Sequence, residues 1–154
     1  MLRRLIYTRN ELAPAIARLV LGLVMLPHGL QKLFGMFGGP GWDGTIGFMT
    51  GMLNVPYPFA VLAILAESLG ALALILGFLG RVGAFGIAVN MVVATFMAHL
   101  SHGFFMNWGG TQKGEGFEYH LLAIGLAVIV MIAGSGAASV DRALSRRDEP
   151  VRNS

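Results

Sequence analysis

Phe59–Leu79 reads FAVLAILAESLGALALILGFL, twenty-one residues with one formal charge, Glu67, near the middle. A stretch of this length and composition suits a helix that crosses a bilayer, which takes ~20 mostly apolar residues. A carboxylate at that depth is costly, so it marks a functional position and calls for a partner. The rest of the chain has the same character. Hydrophobic residues make up 55% of its 154 residues and charged residues 12%, about half the ~25% charged content of soluble proteins. The length suits a single domain.

The composition also excludes some chemistry. There is no cysteine, which removes disulfides, thiol redox steps, iron–sulfur clusters and Cys-based zinc sites. The net charge is +3, but the basic residues gather beside apolar spans at the two ends of the chain. That is a membrane-orienting pattern rather than a nucleic-acid footprint. Arg3, Arg4 and Arg9 precede the first apolar run, which has no small-residue cleavage site before the next loop, so no cleavable signal peptide is expected.

The pattern predicts an all-α integral membrane four-helix bundle, with helices at about 13–34, 58–79, 82–102 and 119–138. The first contains Arg18, expected to snorkel to the near interface, and Pro27, expected to kink it. Residues 35–51 hold seven glycines and read as a loop, with a short interfacial piece at about 48–53. Pro56 and Pro58 open the second helix. Arg81 marks a tight turn into the third, and 103–118 form a second glycine-rich, aromatic loop. The tail from Asp141 reads as short, charged and frayed. Nine of the eleven Lys and Arg (Arg3, Arg4, Arg9, Arg18, Arg81, Arg142, Arg146, Arg147 and Arg152) share one side. The positive-inside rule puts that side, with both termini, in the cytoplasm. Lys32 and Lys113 lie on the other side with the long loops, whose Phe and Trp residues read as an interfacial belt.

Membrane helices meet through small residues. Ala63, Glu67, Gly70, Leu74 and Gly77 share one face of the second helix; Gly83, Gly86, Asn90 and Ala94 share one of the third. His120, Ala123, Ala127 and Met131 line the fourth, and Arg18, Gly22, Met25, Gly29 and Lys32 the first, with His28 about 60° away. At ~1.5 Å per residue, Glu67 and His28 both fall about 21 Å from the cytoplasmic end, Asn90 about 14 Å, and His99 and His120 about 27 Å. These side chains form a candidate pocket in the outer half of the bundle, floored by Glu67. His99 lies about 180° around its helix from Asn90, so both face inward only if that helix is shared or irregular. The histidine spacings match no metal motif, and Gly38-Gly39-Pro40-Gly41 lacks the features of a nucleotide loop.

The chain resembles the DoxX family of small bacterial membrane proteins from about Arg18 to Asp141. The resemblance is carried by His28-Gly29-Leu30-Gln31-Lys32, by Glu67 with Gly70 and Ile75-Leu76-Gly77, and by Arg81, Asn90 and His99. Gly103-Phe104-Phe105, Gly134-Ser135-Gly136, Ser139 and Asp141 complete it. It implies a multi-pass protein of the bacterial inner membrane and an oxidoreductase component linked to a quinone or another small redox ligand. The residues themselves give the expected roles: Glu67 and His28 as catalytic proton carriers, and Lys32, Asn90, His99 and His120 as ligand contacts. No cofactor motif is evident, so electrons come from a redox partner protein or a ligand. A homo-oligomer is compatible with so small a bundle. A small-molecule or proton transporter using the same pocket, and a non-catalytic scaffold for a partner enzyme, are the alternatives.

Overall fold

The computed structural model describes residues 2–146, so Arg147 and Arg152 of the basic set lie outside the described residues. Those residues form α1 (Leu2–Ile6), α2 (Leu12–Phe34), α3 (Gly41–Gly47), α4 (Tyr57–Leu76), α5 (Gly80–Ala94), α6 (Glu118–Ala133) and α7 (Val140–Arg146), with no strand among them. Short 3-10 or π turns follow α2, α3 and α5. Helix α2 packs on α4, α4 on α5, α5 on α6, and α6 back on α2. Three helical stretches are long and apolar enough to cross a membrane: Leu12–Phe34, Tyr57–Leu76 and Gly80–His102.

The small-residue faces set the spacing of this ring. A Cβ added at Gly29 would sit 2.6 Å from the Ser68 Cα, so α2 and α4 meet backbone to backbone. Gly70 and Gly83 do the same for α4 and α5. Leu21, Met25, Leu74, Ile87, Ala127 and Val130 fill the interior. The outward faces remain apolar, with Leu23, Leu62, Phe85 and Ile132 among many exposed large side chains. An apolar exterior around a packed interior suits hydrocarbon surroundings.

Several expected boundaries move. Helix α4 ends at Leu76 rather than 79, because Gly77 takes a left-handed φ of 64° and begins a Schellman cap, with Phe78 N donating to Ala73 O at 3.0 Å. Helix α6 ends at Ala133 rather than 138, where Gly134 turns out at φ 86°. Its 16 residues span about 24 Å, short of a ~30 Å hydrocarbon core. The first loop is more helical than expected, since α3 runs directly into a π turn at Phe48–Met52. The tail expected to fray is helical over Val140–Arg146, and the Ser145 Oγ donates to Ile6 O at 3.0 Å.

Arg18 departs furthest from expectation. It does not snorkel outward but is 1% exposed. Its guanidinium donates to Leu74 O and Ile75 O at 2.8 Å, and to Ser135 O, Ala137 O and Ala138 O at 2.7, 3.1 and 2.6 Å. These carbonyls belong to the last turn of α4 and to the turn after α6, where some of them have no intrahelical donor. A planar fork of five N–H groups can serve several of them at once. Beside it Asp141 accepts from Leu79 N and Gly80 N at 2.9 and 3.1 Å, placing an anion at the start of α5. Arg81 likewise reaches Tyr7 O and Met131 O at 2.5 and 3.0 Å. These bonds gather α1, α7 and the α4–α5 turn at one end of the molecule.

Arg18→Lys keeps the charge and loses the fork. The expected outcome is a loss of about 3 kcal/mol or more, because several buried carbonyls lose charged donors worth ~1.5–3 kcal/mol each. Thermal unfolding in detergent, followed by circular dichroism, checks this; an unchanged midpoint would remove Arg18 from the account of stability.

Candidate functional site

Glu67 is carried on the buried face of α4 with Ile64, Ser68 and Ala71, and is itself 2% exposed. Lys32, near the end of α2, reaches in from the rim; its Nζ lies 2.5 Å from each carboxylate oxygen. From α5, Asn90 Nδ2 donates to Glu67 Oε1 at 2.7 Å. Three helices thus meet on one carboxylate. The Lys32 side chain is 30% exposed, so its stem crosses the packed wall while the pair keeps one open side. A charge buried in apolar surroundings persists only when paired and hydrogen-bonded, and this one is both.

The Lys32 ammonium and the Asn90 amide are therefore the partners of Glu67. His28 is exposed, and its ring lies 5.9 Å from that of Tyr119. It makes no hydrogen bond to Glu67. The 60° offset of His28 from the packing face of α2 turns it outward, while the long lysine arm covers the remaining distance.

His99 comes round to the pocket because the helix is irregular. Thr95–His99 forms a π turn after α5. The i→i+5 bonding of such a turn sets the residues beyond it back by about one position, on the order of 100°. His99 Nδ1 lies 2.9 Å from Glu115 O. A carbonyl can only accept, so Nδ1 carries the hydrogen and Nε2 is left as an acceptor. The ring of His120 lies 4.2 Å from that of His99, centroid to centroid. His120 is 5% exposed, and its Nδ1 has no hydrogen-bond partner among the described residues. Among the described residues no three His, Asp or Glu side chains gather as a metal-ligand set. Glu118 instead accepts from Met106 N and Trp108 Nε1, at 2.9 and 3.2 Å, and ties down the second long loop.

Lys32, Glu67, Asn90 and His99 all line one groove of about 1000 Å³ along α4 and α5. Thr45, Phe48 and Met49, from α3 and its π turn, close the groove's outer end. The sequence placed a short interfacial piece at about 48–53 in the first loop but missed that it lines the groove. It also missed Tyr119, whose hydroxyl donates to Met25 Sδ at 3.1 Å between the two ring systems. An aromatic beside His120 gave the only hint of it.

The ion pair yields a double-mutant test. Glu67→Gln leaves the Lys32 ammonium without its counter-ion, and Lys32→Met leaves a buried carboxylate uncompensated. Each is expected to cost about 3–5 kcal/mol. The double variant should recover much of that loss, a coupling that thermal melts of all four proteins would measure. Additive losses would mean that the pair is not coupled.

Comparison with known proteins agrees with this architecture. The DoxX family profile matches residues 13–100, which carry Glu67, Lys32, Asn90 and His99. The chain is also 29% identical over 138 residues to "Inner membrane protein YqjF" of Escherichia coli (strain K12), covering 90% of this chain and 96% of that protein. No solved structure matches the chain. With a profile match over more than half its length, helices apolar enough to span a bilayer and a relative similar from end to end, the chain is a membrane protein of the DoxX family.

Proposed function

We propose that this protein is a multi-pass component of the bacterial inner membrane that binds a quinone-like redox ligand at Lys32, Glu67, Asn90 and His99. The observation that carries this reading is a paired, buried carboxylate on the wall of a groove that is otherwise almost wholly apolar. The four long helices cross as a bundle, α6 with the help of the segments flanking it. Both termini lie in the cytoplasm, a reading supported by the basic residues gathered at the α1, α7 and Arg81 end.

The groups present suit an oxygen-bearing ring. The Lys32 ammonium donates toward a carbonyl oxygen, and the Asn90 Oδ1 and the His99 Nε2 accept from a hydroxyl. Reducing a quinone to a hydroquinone takes two electrons and two protons. Glu67 exchanges protons with the ligand, and the adjacent His99 and His120 rings link it to the outer side. His28, outside this pocket, is not needed for either step. Electrons come from a redox partner protein, since the described residues hold no motif for a redox cofactor.

Binding of tetramethyl-1,4-benzoquinone to the protein in nanodiscs tests the site. Affinity is expected to fall at least about tenfold in Glu67→Gln and in Lys32→Met; binding that is unchanged in both would make the ion pair purely structural. Sidedness is checked separately, because a chain without cysteine takes single labels cleanly. A membrane-impermeant maleimide should label Thr111→Cys in spheroplasts, and Asn10→Cys only after lysis. The reverse pattern would invert the topology.

A further inference from the structure

We propose that the groove along α4 and α5 seats the tail of a lipid with a neutral, oxygen-bearing head, which reaches Glu67 sideways from the bilayer. This rests on the ligand site proposed above and names the class of molecule that fits it. The groove exists because its floor is made of small residues. Ala66, Gly70 and Ala73 of α4 face Gly83 and Gly86 of α5, and a Cβ placed on Gly86 would meet only Ala66, at 3.4 Å. Its rims are Leu62, Leu69, Phe85 and Val89, which are 58%, 57%, 57% and 46% exposed. The opening therefore lies on the flank that hydrocarbon bathes, not at either water-facing end. Its volume of about 1000 Å³ stands at the upper limit usual for small-molecule sites.

Polarity along the groove is one-sided. Lys32, Thr45, Glu67, Asn90 and His99 all lie from the middle toward the outer end. Beyond Glu67 no polar side chain lines it, and the helix runs on to Leu76, about 14 Å at ~1.5 Å per residue and roughly half the ~30 Å core. An occupant matching this gradient has one polar end and a tail about one leaflet long. The depth of the polar end decides the head. A phosphate carried down to Glu67 would be a charge inside hydrocarbon, and the floor offers it no net countercharge, because Lys32 is already neutralised by Glu67. A neutral head with carbonyl or hydroxyl oxygens reaches that depth cheaply. Prenylated and alkylated quinones are such lipids.

The test compares two probes in nanodiscs, a decyl-substituted benzoquinone and the tail-less tetramethyl compound. Wild-type protein should bind the decyl probe at least about tenfold more tightly. Gly86→Leu and Val89→Phe fill the groove without touching the ion pair. Both should abolish the preference while leaving tail-less binding intact. Equal affinity for the two probes in wild type would overturn the tail site yet leave the head site standing. Displacement of the decyl probe by a phosphatidic acid would overturn the neutral head. Groove variants that change the oligomeric state but not the preference would assign the flank to a second copy of the chain. If neither probe binds, the head site fails and takes the tail site with it.

Discussion

Five carbonyl oxygens converge on one guanidinium, and the arrangement of the other helices depends on that convergence. Helices that end inside a protein leave carbonyls without intrahelical donors, and where hydrocarbon surrounds them no water can substitute. Arg18 serves the last turn of α4 and the segment after α6 together. The Gly77 turn is then held against Ser139, and Asp141 is set over the first N–H groups of α5. Helix α2 carries a second cation, Lys32, fourteen residues on and on nearly the same face. Arg18 fixes how far α4 slides along α2, and Lys32 meets whatever that register presents. It presents Glu67.

The two cations do opposite electrostatic work. Arg18 bonds only to neutral carbonyls, with Asp141 nearby, so its charge is dispersed over dipoles. Lys32 faces a full carboxylate at 2.5 Å. Burying such a pair costs desolvation that largely cancels the attraction, so the pair adds little net stability. Removing one member is what destabilises. The pair does tie the register of α2, α4 and α5 together, and its open side faces the groove.

Much of the fold was legible because membrane helices announce their packing faces. The stripe Gly22, Met25, Gly29 is buried as read, and Asn90 and Glu67 face each other because both lay on small-residue faces. The role of Arg18 was not legible. Its partners are backbone carbonyls 56 to 120 residues away, and a carbonyl carries no sequence signature. His28 makes no bond to Glu67 for a different reason: depth alone placed it level with the carboxylate, and a 60° offset was enough to separate them. His99 needed a π turn, which no residue in Thr95–His99 advertises. The end of α6 was lost because the small residues after Ala133 continue the small-residue face of the helix, while the carbonyls of Ser135, Ala137 and Ala138 bond to Arg18 instead.

The ties are unevenly distributed between the two ends. At the Arg18 end, three charged side chains bond to backbone atoms of several segments. At the other end the helices meet through adjacent rings, one ion pair and a loop folded on Glu118. A substitution at Arg18, Arg81 or Asp141 therefore loosens several segments at once, whereas one at His99, His120 or Glu118 acts on a single loop or helix pair.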